Sequence, residues 1–334
     1  MRAMHLAAIL AAALVALACL GILLSPAGRR LLLDRPNERS LHRQPVPRSG
    51  GLAIAAGVGA AVAFSPLPFA LWVALGAALA LAAISLLDDI LTLSTQLRLA
   101  AHLGAAAATV ALAIGSDGAI SFVLLALALA WSANLYNFMD GADGLAGGMA
   151  LFGFGAYAVA GRLAGDPALA SLCAVIAISS CVFLAANFPP AKIFMGDVGS
   201  VPLGFLAGAL GLLGWRSGAW PLWFPMLVFA PFACDATLTL VKRLARRERV
   251  WQAHREHYYQ RLVRMGFDHR GTLWIEYAAM AACAATALAI REASPTAQMT
   301  ALVTVTLILA ALAAWIDARW SRWTRRNGPG GAAA

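Results

Sequence analysis

The sequence predicts an all-α integral membrane protein that crosses the bilayer many times. Of its 334 residues, 61% are hydrophobic and only 12% are charged, whereas soluble domains carry about 25% charged residues. The apolar residues form runs long enough to cross a bilayer as helices, which takes about 17–25 residues. The charged residues lie mostly between those runs. Lipid is therefore the solvent that fits this composition.

Eleven apolar runs follow one another along the chain, with no internal repeat and no separate soluble domain. We therefore predict a single membrane-embedded domain over residues 1–334 with about 11 transmembrane helices. The predicted helices cover residues 5–25, 51–67, 69–87, 99–115, 119–136, 145–161, 168–186, 200–215, 219–241, 272–290 and 298–316.

Positive charge is distributed unevenly between the two sets of connecting segments. With the N-terminus outside, 21 of the 25 Lys and Arg residues fall in inside segments. Since short cytoplasmic loops are enriched in Lys and Arg, this predicts an outside N-terminus and an inside C-terminus, with residues 317–334 as a short basic tail. The net charge of +9 then reflects topology and not nucleic acid binding.

Six aspartates lie at or near the predicted cytoplasmic ends of helices. A carboxylate within the membrane costs about 2.5–3.5 kcal/mol on insertion scales and usually has a function. Their shared side predicts one aqueous site at the cytoplasmic face, with cations that offset their repulsion. The six residues are Asp88, Asp89, Asp140, Asp143, Asp197 and Asp235.

Asp88 and Asp89 end the third predicted helix. Paired carboxylates can hold Mg²⁺, or one of them can act as a base. A polar helix end that meets water explains the pair equally well. Arg98, at the start of the next helix, could contact phosphate or simply anchor the helix at the cytoplasmic side.

A second motif places Asn134, Asn137, Asp140 and Asp143 at intervals of three residues. On a helix, such residues share one face with a slow drift. Glycines within and after the motif would let a nucleotide approach the backbone closely. A Gly-rich helix end explains the glycines but not the asparagines inside an apolar run. We therefore predict that this segment belongs to a substrate site.

A third motif joins the seventh and eighth predicted helices and begins at Asn187. Within it, Asp197 can ligate a metal, Phe194 can stack on a base and Lys192 can neutralise phosphate. A Pro/Gly-rich connection between helices is the alternative interpretation. The variety of chemical types in one short loop favours a binding segment.

The basic loop after the ninth predicted helix contains His254-Arg255-Glu256-His257. Two histidines three residues apart share a helix face and could bind a diphosphate, relay a proton or ligate a metal. We favour phosphate recognition together with Arg255 and Arg261. The other basic residues of the loop are better explained as cytoplasmic anchors.

Two weaker signals complete the set. The first inside loop, residues 34–51, ends with Arg48 beside glycines that open a helix, an arrangement that could cradle phosphate. His102, near the inside end of the fourth helix, is better explained as a structural histidine with satisfied hydrogen bonds.

Together these motifs resemble the polyprenyl-phosphate N-acetylhexosamine-1-phosphate transferases of glycosyltransferase family 4. The resemblance spans about residues 34–261 and rests on Asp88-Asp89, Asn134-xx-Asn137-xx-Asp140-Gly-x-Asp143-Gly-Leu, Phe194-Met-Gly-Asp197-x-Gly-Ser200 and His254-xx-His257. It implies a Mg²⁺-dependent enzyme (with Mn²⁺ as an alternative metal) of the bacterial inner membrane, with its active site facing the cytoplasm. The implied substrates are UDP-GlcNAc or a deoxy relative and undecaprenyl phosphate, with UMP as by-product. A homodimer is left open.

The resemblance also implies roles for individual residues. Asp88 corresponds to the family's proposed general base, Asp89 to its support at the metal or diphosphate, and Asp197 to the metal-binding aspartate. Phe194 corresponds to the aromatic residue that stacks on uracil. Together with Arg98 and Arg255, which were singled out for phosphate contact, these motifs give the predicted nucleotide and substrate site. Its residues are Asn137, Asp140, Asp143, Asn187, Phe194, Arg98, His254, Arg255 and His257.

The histidine motif favours the branch that starts O-antigen and related surface polysaccharides. Muramoyl-pentapeptide transferases of peptidoglycan synthesis, the alternative within the class, carry consecutive histidines where this chain has Arg255 and Glu256 between two. Glu256 would repel a muramoyl-peptide if it faces the site, and would pair with a neighbouring Arg if it faces solvent. A secondary transporter is the alternative from another class, but transporters place such acids near the bilayer midplane.

Overall fold

The computed structural model describes residues 2–30, 32–34, 45–64, 66–249 and 254–327. Within these ranges the chain is almost entirely helical. Turns and loops connect the helices, and the strands of the described residues form one short antiparallel ribbon of β1 (Leu33–Asp34) and β2 (Val46–Pro47), which pairs Leu33 with Pro47. The all-α fold class is therefore confirmed.

Thirteen α-helices follow one another along the described chain. Eight helical stretches are long and apolar enough to cross a membrane, judged by length and composition. The helices are α1 (Arg2–Leu24), α2 (Gly51–Val62), α3 (Phe69–Leu91), α4 (Thr95–Thr109), α5 (Ala119–Phe138), α6 (Leu145–Leu163), α7 (Pro167–Asn187), α8 (Asp197–Arg216), α9 (Trp223–Val228), α10 (Ala230–Ala245), α11 (Tyr258–Leu262), α12 (Asp268–Ile290) and α13 (Pro295–Asn327).

Each of the eleven predicted runs coincides with helical structure, but four differ from a single regular α-helix. The fourth run continues from α4 as a π-helix over Val110–Ile114. Helix α2 has only 12 residues. The ninth run is divided into α9 and α10 just before Pro231, whose ring cannot continue a helix without a clash. Helix α13 continues to Asn327 and so includes most of the predicted tail. The number of crossings and the orientation stay predictions.

Helix α8 forms the centre of the bundle and α13 its edge. In α8, 83% of the most apolar stretch is buried, against 6% in α13. Helix α8 packs against α3 and α5, and a Cβ added at Gly204 would lie 2.4 Å from the Cβ of Tyr136 on α5. Small residues allow this close approach, which supplies the van der Waals contact that joins helices in lipid. The core therefore depends on glycine at the α5–α8 crossing.

The loop between α7 and α8 is joined to the start of α2 by backbone hydrogen bonds. The N–H of Phe194 donates to the carbonyl of Pro47 at 2.7 Å, and the N–H groups of Gly50 and Gly51 donate to Phe194 and Met195, both at 2.9 Å. These bonds satisfy polar backbone groups that lipid could not. They fix the loop at one end of the bundle.

Two predicted motifs do not lie on the helix faces expected of them. Helix α5 ends at Phe138, so Asp140 and Asp143 lie in the following turn, which Gly144 closes with a φ of +77°. Helix α11 begins at Tyr258, so the histidine motif precedes the helix. In both places, a turn and not helical periodicity directs the side chains.

Candidate active site

Three aspartates from two helices meet where α3 ends and α8 begins. Asp88 and Asp89 lie in the last turn of α3, and Asp197 is the first residue of α8. The charges of Asp88 and Asp197 both act on Asp89. The positive charges of Arg48 and Arg98 act on Asp197. The fold thus gathers acids and arginines from segments far apart in sequence.

Asp88 is held by donors on both of its oxygens. Oδ1 accepts the backbone N–H of Leu93 at 2.7 Å, and Oδ2 accepts Nη1 of Arg98 at 3.0 Å. Leu93 lies in the turn that joins α3 to α4, and Arg98 lies in the first turns of α4. Thr92 begins this turn in the left-handed conformation, with a φ of +53°. Arg98 thus contacts Asp88 directly, and this contact holds the start of α4 against the end of α3.

Within the described ranges, Asp89 has one oxygen paired and one without a partner. Arg48 Nη2 lies 3.1 Å from Oδ1, and the side chain of Asp89 is 6% exposed. Oδ2 is buried and has no hydrogen-bond partner among the described residues. Since a buried acceptor without a donor is costly, this oxygen suits a cation. Residues 35–44, the rest of the predicted phosphate cradle, lie outside the described part of the chain.

The residues around Asp89 and Asp197 fit a magnesium ion whose coordination would be completed by substrate phosphates and water. Within the described ranges, no three acidic, His or Cys side chains are arranged to hold a metal by themselves. Mg²⁺ at phosphate-transfer sites usually takes only one or two carboxylates, together with substrate phosphates and water. The unpaired Asp89 oxygen beside Asp197 matches that donor set.

Asn137 and Asp140 connect the end of α5 to Asp197. Asn137 accepts the hydroxyl of Ser200 at 2.6 Å and hydrogen-bonds to Asp197. Asp140 accepts the backbone N–H of Gly196. Burial, and then the charge of Asp197, raise the pKa of Asp140 well above its ordinary value. An incoming cation would favour the ionised form of this carboxyl.

Asp143 ties the α5–α6 turn to two other segments. Its Oδ2 accepts the N–H of Ala191 at 3.0 Å, and its Oδ1 lies 3.2 Å from Nδ1 of His269. His269 lies in the first turn of α12, and the sequence motifs did not place it in this site. Only the folded chain brings it beside Asp143.

Asn187 is buried and bonded to backbone on both sides. Only 4% of it is exposed. Its Nδ2 donates to the carbonyl of Ile193 at 2.8 Å, and its Oδ1 accepts the N–H of Gly144 at 2.9 Å. These contacts shape the loop on which Phe194 is half-buried and Lys192 exposed. The position of Asn187 is that of a residue supporting the loop.

The two histidines of the basic loop lie side by side. The ring centroids of His254 and His257 are 4.9 Å apart. Burial, His257 and Arg243 lower the pKa of His254 to about 4. His254 is therefore neutral at pH 7 and can accept or donate a hydrogen bond without carrying charge.

Two charged residues near the histidines are already paired. Arg261 is 4% exposed, and its Nη1 lies 2.8 Å from Oδ1 of Asp317 on α13. Its part in phosphate recognition stays a prediction, since Nε of the same guanidinium has no hydrogen-bond partner within the described residues. Glu256 pairs with Arg246, the outcome expected if it does not face substrate. The side chain of Arg255 makes no ion pair or hydrogen bond within the described residues.

His102 has the structural role that the sequence favoured. It is 9% exposed, and its Nδ1 lies 3.2 Å from the amide nitrogen of Asn134. Asn134 also donates to the carbonyl of Ala130 at 2.7 Å. The pair joins α4 to α5.

Comparison with known proteins identifies relatives of this chain. The sequence profile of glycosyl transferase family 4 matches residues 71–214. A probable undecaprenyl-phosphate N-acetylglucosaminyl 1-phosphate transferase of Bacillus subtilis is 29% identical over 278 residues, covering 77% of this chain and 78% of the relative. The decaprenyl-phosphate N-acetylglucosaminephosphotransferase of Mycolicibacterium smegmatis is 33% identical over 291 residues, covering 72% and 71%.

A third relative matches only a short part of the chain. The phospho-N-acetylmuramoyl-pentapeptide-transferase of Staphylococcus epidermidis is 34% identical over 103 residues, which cover 30% of this chain and 32% of the relative.

Fold and site together define a multi-pass membrane enzyme with an acidic site at one end of its helical bundle. The chain belongs to glycosyl transferase family 4, the polyprenyl-phosphate N-acetylhexosamine-1-phosphate transferases. The resemblance inferred from the motifs is thereby confirmed.

Proposed function

We propose that the chain transfers N-acetylglucosamine 1-phosphate, or a deoxy-N-acetylhexosamine relative, from a UDP-sugar to undecaprenyl phosphate and releases UMP. The observation that carries the proposal is the meeting of Asp88, Asp89 and Asp197 beside Arg48 and Arg98. The name of the Bacillus relative supports this choice of sugar and lipid. The product would be the first lipid-linked sugar of a surface polysaccharide such as O-antigen.

The reaction is a phosphoryl transfer. An oxygen of the lipid phosphate attacks the sugar-bearing β-phosphorus, and the bond from that phosphorus to the bridging oxygen breaks. UMP leaves with the bonding electron pair. Such reactions depend mainly on positioning and on charge stabilisation. In this chain Arg48 and Arg98 provide fixed positive charge beside the acids, suited to phosphate oxygens.

The acids divide into two kinds by their contacts. Asp88 already accepts one donor on each oxygen, from Leu93 and Arg98, and each oxygen keeps a further acceptor site at which it could take a proton as a base. Asp89 has an oxygen with no partner among the residues that the structure describes, and with Asp197 it would hold Mg²⁺. Mg²⁺, when bound, neutralises the diphosphate as charge moves onto the leaving group.

The remaining residues suit the nucleotide and the sugar. Phe194 lies on the loop that Asn187 supports and offers a face for a base. Arg255 offers a guanidinium without a described partner, and its planar fork suits phosphate. His254 and His257 lie next to it. The positive-inside distribution of Lys and Arg supports a cytoplasmic position for this site.

A transfer assay tests the function. Purified enzyme receives Mg²⁺, undecaprenyl phosphate and either radiolabelled UDP-GlcNAc or radiolabelled UDP-MurNAc-pentapeptide. We expect labelled lipid from the first donor only, because the pentapeptide transferase relative matches just 30% of this chain. Lipid product from the pentapeptide donor would move the chain to the peptidoglycan branch. Absence of product and of UMP exchange with either donor would contradict the proposal and favour a transporter.

A further inference from the structure

Asp235 is a buried carboxylate on the predicted cytoplasmic side that belongs to none of the sequence motifs and has no individual role in the predicted site. It lies on α10, is 6% exposed, and accepts four hydrogen bonds. Oδ1 accepts from His257 Nδ1 at 3.1 Å, from the N–H of Tyr258 at 2.9 Å and from Thr239 Oγ1 at 3.2 Å, and Oδ2 accepts from the N–H of Tyr259 at 3.0 Å. These donors compensate a charge that would otherwise be expensive at this depth.

The contact with Asp235 determines how the ring of His257 is used. An ionised carboxylate can only accept a hydrogen bond, so Nδ1 carries the hydrogen. In the neutral ring, Nε2 then has a lone pair and can act as an acceptor. Nε2 makes no hydrogen bond within the described residues. The ring stacks on Phe138 at a centroid distance of 6.2 Å and on Tyr259 at 5.9 Å. Phe138 ends α5, and the turn that carries Asp140 follows it.

We propose that Asp235 is a positioning residue that orients His257 so that Nε2 meets the diphosphate of the sugar nucleotide. The proposal rests on the function proposed above. A carboxylate on one ring nitrogen fixes the tautomer and stabilises a proton on the other nitrogen. When Nε2 takes up a proton from solvent, the imidazolium ring of His257 donates from Nε2 to a phosphate oxygen as negative charge grows on the leaving group.

Asp235 also caps the start of α11 through Tyr258 and Tyr259, so a purely structural role has to be separated from positioning. The chain offers a matched control. Glu276 of α12 is 8% exposed, lines the same small cavity as Asp235 and makes no hydrogen bond in the described structure. It shares the surroundings of Asp235 but not its contact with His257.

A kinetic double-mutant cycle tests the positioning role. We expect Asp235→Asn to lower kcat about 10–100-fold, with a smaller change in the KM for UDP-GlcNAc. In a His257→Gln background the same change should have almost no further effect, because Asp235 acts through that ring. Glu276→Gln should leave kcat within about twofold. Equal losses in both backgrounds would show that Asp235 only caps α11.

The ring nitrogens of His257 provide a second readout that does not depend on the substrate. In protein with ¹⁵N-labelled histidine, the signal that disappears in His257→Gln belongs to His257. We expect a protonated Nδ1 in the unchanged enzyme and a shift towards the Nε2–H form in Asp235→Asn. An Nε2–H tautomer in the unchanged enzyme would overturn the inference. This measurement decides even if Asp235→Asn does not fold or if the proposed donor sugar is wrong.

Discussion

At the scale of single residues, neighbouring acids differ because their partners differ. Asp88 has a donor on each oxygen, whereas Asp89 has a buried oxygen with no donor in the described part of the chain. The difference arises because Arg98 follows in the next helix while Arg48 approaches from the first loop. Two identical side chains, adjacent in sequence, therefore offer different chemistry.

The first residue-scale prediction concerns the metal. Asp197→Asn keeps the shape of the side chain but removes the charge, so we expect turnover to fall by more than about 100-fold. This loss exceeds the one that is typical of residues that only hydrogen-bond to a metal ligand. The protein should still accumulate and elute as a folded species. Turnover is measured as radiolabelled lipid product at saturating Mg²⁺.

Asp117→Asn is the matched control for this prediction. Asp117 is an acid far from the site, with a side chain 79% exposed beside Arg216, and its variant should keep full activity. Full turnover of the unchanged enzyme in excess EDTA would exclude a metal role for Asp197.

The second residue-scale prediction concerns pH. The pKa of His254 is lowered from 6.5 to about 4 by burial, His257 and Arg243. Above about pH 6.5 neither folded nor unfolded chain binds this proton. Between pH 6.5 and 4 the unfolded chain binds it first, so the folded state loses stability as pH falls.

Apparent Tm values measured at one scan rate check the pH prediction. We expect Tm to fall between pH 7.5 and pH 4.5, and to fall less in His254→Gln, which has no titrating ring. Equal falls in the two proteins would mean that His254 does not contribute.

At the scale of helices, the site depends on how closely α2 and α8 approach each other. A Cβ added at Gly51 would lie 2.4 Å from the Cα of Gly199, and one added at Gly199 would lie 2.7 Å from the Cα of Gly51. Only glycine allows this backbone contact. Because Asp197 begins α8, any separation of the two helices would displace it.

The helix-scale prediction compares two glycines of α2. We expect Gly51→Ala to cost about 1–3 kcal/mol of stability, as overpacking usually does, and to lower activity. Gly59→Ala is the control, since no atom of the described residues lies within 4 Å of a Cβ added there and alanine is the better helix former. Thermal stability in detergent and turnover are measured for both. Similar behaviour of the two variants would contradict the close crossing.

At the scale of the whole molecule, one end of the bundle collects nearly all the chemistry. At this end lie the ends of α3 and α5, the starts of α2 and α8, and the histidine segment. Helix α13 lies at the edge of the bundle, and Ile316 is its buried side chain in the described structure. Long-range Lys and Arg asymmetry predicts that this end faces the cytoplasm.

Cysteine labelling tests the predicted orientation. In a background without the native cysteines, single cysteines at Ser40 and Arg249 should resist a membrane-impermeant thiol reagent in intact cells, and one at Asp117 should react. Ser40 itself lies outside the described residues. Labelling at position 249 without permeabilisation would reverse the orientation and place the site on the other side.

Much of the site could be predicted because the chemistry-bearing residues occur in short motifs. The Asp88-Asp89 pair, the motif ending at Asp143 and the loop with Asp197 were all visible against an apolar background. The histidine pair was also visible, but its helical geometry was wrong. Periodicity describes only residues inside a helix, and the pair precedes α11.

By itself, the sequence determined the class of protein: a chain that is 61% hydrophobic, in long runs with polar motifs at their ends, can satisfy its backbone in lipid only as a helical bundle. Only the tertiary structure decided which side chains pair. Arg48 with Asp89, His269 with Asp143 and Asp235 with His257 join residues between 22 and 126 positions apart. Such pairs depend on which helix ends meet, and helix packing in lipid is set by small-residue contacts that leave no local pattern in the motifs themselves.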